Sequence, residues 1–318
     1  MQPLIRVLPV VQLAFSPIVT IGGFAVRLDT LALAFVILAC LVVAARIARR
    51  TPVDPDRSPD DPGPEPDEPN HLRADDLLYV AVAAFPGAVV GGRFGYGLLH
   101  LDYYTANPTA LLDISQGGLA LSLGIVGGLL TATLVAGLLG APVGRWMHAL
   151  VLPLLLALAG GKLVMALGGS GQGLPWDGDW ATAYLGPGPW GSLAPAIPSH
   201  PAQVYEALAT TGVLLFVAWL LALGAFARRT GAALLLGLGL WAMARAAVAS
   251  TWRDPAVLGP LRMEQVVSIG IAAGSFALMA WMTAVEITRR RDARRHDGAG
   301  SDSSSKPAWP NPSTRPRI

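Results

Sequence analysis

The stretch SHPAQVYEALATTG, residues 199–212, sets a histidine, a glutamine, a tyrosine and a glutamate close together at the edge of a long apolar run. Pro201 suits a first helical turn, with Ser199 or His200 as its cap. At helical spacing His200, Gln203 and Glu206 share a face, while Tyr205 points elsewhere. An imidazole near a carboxylate is equipment for moving protons. Three cations interrupt other apolar runs: Arg93 in GGRFGYGLLH, Lys162 in LAGGKLVMALGGSGQG and Arg245 in GLWAMARAAVAS. A lone charge inside hydrocarbon usually snorkels to the nearest interface. Three at a common depth favour one anionic ligand such as a phosphate, to which arginine brings paired donors and lysine a point charge. Arg93, Tyr96 and His100 also share a helical face. So many glycines in GGSGQG cannot sustain a regular helix; they form a turn whose amides suit an anion.

The elements that carry these residues follow from composition. Of 318 residues, 53% are hydrophobic and 14% charged, and the charges cluster between long runs that hold few. Seven segments come near the length needed to cross a bilayer: 26–46, 77–99, 117–139, 147–168, 203–227, 231–250 and 264–286. The expected fold is an all-α integral membrane bundle of seven transmembrane helices, since helices satisfy their own backbone in lipid. The single cysteine, Cys40, lies within the first helix, which rules out an intrachain disulfide and a cysteine metal cluster. No metal or other cofactor is expected. The net charge of +2 and the scatter of basic residues give no nucleic-acid surface.

Charge bias sets an expected orientation. Arg46, Arg49, Arg50, Arg145, Arg228, Arg229 and the arginines from Arg289 to Arg295 occupy alternate loop ends, while loops 100–116 and 169–202 hold no Lys or Arg. The positive-inside rule then puts the N-terminus outside and the C-terminus in the cytoplasm. The chain divides into an arm and first helix (1–50), a cytoplasmic linker (51–75), a six-helix remainder (76–287) with an extracytoplasmic loop at 169–202, and a cytoplasmic tail (288–318). Residues 51–70 combine seven prolines with seven acidic groups, and the end of the tail is Ser- and Pro-rich, so both segments are expected to be disordered.

HPAQVYEAL resembles the H-P-(S/T)-Q-L-Y-E signature of the prolipoprotein diacylglyceryl transferases of bacterial envelopes. GGRFGYGLLH is similar to that family's G-x-R-x-G-Y element, and QGGLALSLGIVGG to its E-G-G-M-S-F-H-G-G-L segment; GKLVMALGGSGQG aligns with its G-R-x-G-N-F-x-N-G-E-x-x-G signature. The resemblance spans about residues 20–285. It implies transfer of the diacylglyceryl group of phosphatidylglycerol to the lipobox cysteine of a prolipoprotein signal peptide, in the bacterial cytoplasmic membrane, with release of glycerol phosphate. Arg93, Tyr96, Lys162, Gly173, Gln203, Tyr205 and Arg245 then bind substrate. Ser122 stands where the family usually carries a histidine, and Met165, Ser170 and Ala249 replace asparagine, glutamate and glutamate; Asp29 stands at a tyrosine early in helix one. With Ser122 in that place, His200 and His100 are the imidazoles left to act as base, with Glu206 orienting or balancing charge. The alternative is an inactive relative that binds phospholipid or lipoprotein signal segments. An unrelated transporter is disfavoured, because paired charges at mid-membrane and inverted repeats are missing from the sequence.

Overall fold

The computed structural model describes residues 10–54, 71–113, 117–226 and 231–303. Seven of its helices are long and apolar enough to cross a membrane, so the chain is a multi-pass membrane protein. They are α1 (Leu28–Ala48), α2 (Ala74–Leu99), α4 (Leu121–Leu138), α5 (Val143–Leu167), α6 (Ala202–Ala222), α7 (Ala232–Ala249) and α8 (Met263–Ser303), whose apolar span is Met263–Arg289. The short α3 (Leu101–Ala106) and a single 3-10 turn (Pro108–Leu111) join α2 to α4. Two compact units divide the chain, residues 1–276 and 277–318; the second begins within α8. That helix runs on to Ser303. The rest of the tail and residues 55–70 of the linker lie outside the described residues. The ends of the linker are fastened: Leu72 N–H bonds the Thr51 carbonyl, and Arg145 Nε donates to the Pro52 carbonyl at 2.9 Å.

Strands, absent from the all-helical expectation, cap one end of the bundle. β1 (Val11–Leu13) pairs in parallel with β4 (Thr182–Tyr184), tying the N-terminal arm to the 169–202 loop. β2 (Ile18–Ile21) and β3 (Phe24–Arg27) form a hairpin leading straight into α1. β5 (Ala256–Leu258) and β6 (Leu261–Arg262) form a second, between α7 and α8.

Residue size decides how the helices meet. α2 and α4 approach so closely that a Cβ at Gly127 would run into the Gly87 carbonyl, and one at Gly91 into that of Leu123. Small residues at turn spacing permit this contact, which lipid-facing leucines would prevent. α5, α6 and α7 enclose a core of Val151, Leu155, Val217, Leu234, Leu238 and Trp241. Between the α2–α4 pair and α1–α5 lies an apolar cleft of about 560 Å³, lined by residues such as Ile37, Val80, Leu129 and Pro153, and by Leu119 to Leu121 beside Ser122.

Candidate functional site

Six buried polar side chains converge where α5 and α7 end and α4, α6 and α8 begin. Glu206, one turn into α6, is 1% exposed. Its Oε2 lies 2.9 Å from Lys162 Nζ, and its Oε1 takes the Nη1 of Arg245. Arg245 Nε donates at 2.7 Å to Oε1 of Glu264, the second residue of α8, and at 2.9 Å to Ser122 Oγ in the first turn of α4. Ser122 in turn donates to the same Glu264 oxygen, and Ser268 Oγ lies 3.4 Å from it. Two cations and two carboxylates are thereby interleaved, as buried ions require. Among the described residues no acceptor reaches Arg245 Nη2, so the fork keeps one free edge. The ring of Trp252 lies under both cations, 4.7 Å from Arg245 Cζ and 5.4 Å from Lys162 Nζ, and Trp241 lies 5.7 Å from the same Cζ. Aromatic faces offset part of the cost of taking those charges out of water.

The structure therefore brings Lys162 and Arg245 together on Glu206 and gives Arg93 other company. The guanidinium of Arg93 donates to the backbone carbonyls of Ala110, Leu111, Asp113, Gly117 and Gly118. Tyr96 covers the same segment, its ring against Gly118 and near that of Tyr104. Both residues fasten the α2–α4 connection that delivers Ser122 to the network. Arg93→Gln is expected to cost about 1–3 kcal/mol, the cost of orphaning the buried Ala110 carbonyl, the other four acceptors being only part-buried. Thermal unfolding in micelles, with faster amide exchange confined to 110–120, checks this.

His200 is held beside the network by a backbone frame. Its N–H bonds the Leu174 carbonyl at 3.0 Å, and its own carbonyl accepts from Gly173 N–H at 2.8 Å. Its ring stacks on Trp176, with centroids 4.4 Å apart and planes 8° apart. Nδ1 lies 3.3 Å from the Tyr205 hydroxyl, which accepts from Trp180 Nε1 at 2.7 Å. Partial burial lowers the His200 pKa from its ordinary value, favouring the neutral ring. No hydrogen bond or ion pair joins it to Glu206. His100 is exposed, its Nδ1 3.0 Å from the Tyr96 carbonyl and its ring against that of Tyr96. Gln203 faces inward; its Nε2 donates to the buried Tyr184 hydroxyl at 3.1 Å, which donates to the Ala166 carbonyl.

The glycine turn after α5 uses left-handed backbone at Gly169 and Gly171. Its Gly169, Ser170 and Gly173 amides are bonded to protein carbonyls. At Gly173 an added Cβ would strike the Thr251 carbonyl and stand 3.0 Å from His200 Cβ. Arg253 Nε also donates to the Gly173 carbonyl, at 2.7 Å. Gly173→Ala is expected to lower stability by about 1–3 kcal/mol, as overpacking does, and to displace His200. A fall in unfolding temperature with loss of the His200–Trp176 stacking signal in NMR checks it.

Sequence reasoning missed Glu264, Trp252 and the part played by Ser122. An acidic residue at the start of an apolar span was the available signal, since Arg245 needed a buried partner.

Residues 17–281 match the model of a family described as "Prolipoprotein diacylglyceryl transferase". Curated relatives carry the name phosphatidylglycerol–prolipoprotein diacylglyceryl transferase. That of Clostridioides difficile is 27% identical over 207 residues, covering 65% of this chain and 78% of its own. That of Geobacter sulfurreducens is 29% identical over 228 residues, 69% and 81% respectively, and that of a Nostoc species 28% over 286 residues, 86% and 93%.

Proposed function

The chain belongs to the prolipoprotein diacylglyceryl transferase family, and we propose that it moves the diacylglyceryl group of phosphatidylglycerol onto the lipobox cysteine of exported prolipoproteins. The observation that carries this reading is the Lys162–Glu206–Arg245 cluster, buried among apolar helices with one edge of Arg245 open. A phosphodiester on that edge gains two donors from the guanidinium fork, with the Lys162 charge nearby. The thiol attacks the glyceryl carbon that carries the phosphate; the S–C bond forms as the C–O bond breaks, and the electron pair leaves on the phosphate oxygen. Preorganised cations stabilise the charge gathering there, which is where such groups act most strongly. The apolar cleft flanked by Leu119 and Leu121 suits the acyl chains. His200, Tyr205 and the Trp176–Trp180 aromatic group face the incoming peptide, with Gly173 shaping the His200 frame. In this reading the N-terminus and the site lie on the outer side of the bacterial cytoplasmic membrane, with the arginine-rich ends inside. Linker 51–75 and the tail from 288 face the cytoplasm.

Complementation tests the reading in cells. In a bacterium depleted of its own transferase, expression of this chain restores growth and converts accumulated prolipoprotein to its lipid-modified form. Unmodified precursor at full expression of the membrane-inserted chain contradicts it.

A further inference from the structure

We propose that Glu264 is the catalytic base of this chain, accepting the thiol proton on its Oε2. The inference rests on the diacylglyceryl transfer proposed for the chain and names the group that activates its nucleophile. Four polar residues in or beside the site invite the role, and geometry separates them. Glu206 has a cation beside each oxygen, Arg245 at one and Lys162 at the other, so the carboxylate serves as counter-charge to both. His200 turns Nδ1 to the Tyr205 hydroxyl, whose oxygen already accepts from Trp180 and whose proton is free for that nitrogen. His100 stands exposed on Tyr96 with no bond to the ion cluster. Glu264, 2% exposed, gathers Ser122, Arg245 and Ser268 on Oε1 alone, and among the described residues no donor reaches Oε2.

Its surroundings suit the task. Glu264 meets Ser122 from α4, Arg245 from α7 and Ser268 on its own helix; beyond Arg245 stand Glu206 of α6 and Lys162 of α5. The same guanidinium that holds Glu264 offers its open edge to the phosphate, so base and leaving group are set side by side on one planar fork. The proton taken up by Glu264 comes from the thiol, so the net charge of the site is unchanged and the negative charge passes from the carboxylate to the attacking sulfur. The proton leaves S–H for Oε2, the sulfur pair forms the S–C bond, and the C–O pair departs on phosphate; Glu264 then gives its proton to the released glycerol phosphate or to water. Ser122 Oγ, which accepts from Arg245 and donates to Glu264, fills the contact between them and keeps Oε1 occupied.

Glu264→Gln keeps the shape and removes the base. Release of glycerol phosphate is read from phosphatidylglycerol vesicles with a lipobox peptide between about pH 6.5 and 9, beside binding of the lipid alone. The expected result is lipid binding at least equal to native and turnover near pH 7 lower by about 10²–10⁴-fold, the range for loss of a general base. The deficit shrinks about tenfold per unit as pH climbs toward the ordinary thiol pKa of about 8.5, because preformed thiolate needs no base. If Glu264→Gln fails to bind lipid, Glu264→Asp, which withdraws the carboxylate by one methylene, is read on the same pH axis. A deficit constant with pH overturns the proposal in favour of a role in positioning Arg245, and native-like turnover overturns it outright. A native protein silent at every pH removes the transfer itself, and the proposal with it.

Discussion

Arg245→Lys is expected to lower glycerol phosphate release by about 10³-fold or more while leaving the protein folded. The guanidinium spans four jobs at once: Nε reaches Ser122 and Glu264, Nη1 reaches Glu206, and Nη2 is open. An ammonium keeps the charge but has no planar fork, so it cannot hold both carboxylates and still present paired donors to a phosphate. Loss of one preorganised donor to a developing oxyanion costs about 10²–10³ in rate, and here the alignment of Glu264 goes with it. Steady-state assay in phosphatidylglycerol vesicles checks this; a rate within tenfold of native would show that Arg245 acts by charge alone.

Glu206→Ala is expected to produce the largest loss of stability, about 3–5 kcal/mol, the cost of stripping one partner from a buried ionic cluster. Among the described residues it leaves Glu264 as the only carboxylate contacting Arg245, and none contacting Lys162. Removal of the uncompensated cation as well restores much of the loss, so Glu206→Leu combined with Lys162→Met unfolds closer to native than Glu206→Ala does. Thermal unfolding in micelles gives the comparison, and the non-additivity measures the coupling. The double variant remains inactive, because the phosphate has lost a cation.

The helices were legible because their signal is local. Apolar length alone finds all seven to within a few residues: 26–46 is realised as Leu28–Ala48, 77–99 as Ala74–Leu99 and 231–250 as Ala232–Ala249. Each of Lys162, Arg245 and Glu206 was also conspicuous, as a charge in hydrocarbon must be. Their partners were harder to read. Arg93 looked equivalent to Lys162 and Arg245 by depth, yet its five acceptors are backbone carbonyls of residues 110–118, and no side-chain pattern advertises a carbonyl cage. Ser122 and Glu264 meet across 142 residues, a separation that helical periodicity within one segment does not encode. The pairing of β1 with β4 escaped for the same reason, since strands so short carry too few residues to set an alternating pattern. The His200 frame was half visible. A helix start was read from Ser199 and Pro201, but α6 begins at Ala202 with Pro201 rather than Ser199 or His200 at its cap and no side-chain cap bond, and the His200 bonds to Gly173 and Leu174 run through backbone alone.

One measurement bears most directly on the central claim that this buried cluster drives diacylglyceryl transfer. Purified protein in phosphatidylglycerol bilayers is given a lipobox peptide, and glycerol phosphate release is followed alongside the mass of the peptide. Equal amounts of glycerol phosphate and diacylglyceryl-thioether peptide are predicted, with both lost together in Arg245→Lys. Lipid binding without either product, from native protein shown to be folded, would contradict the account and leave a phospholipid-binding relative in its place.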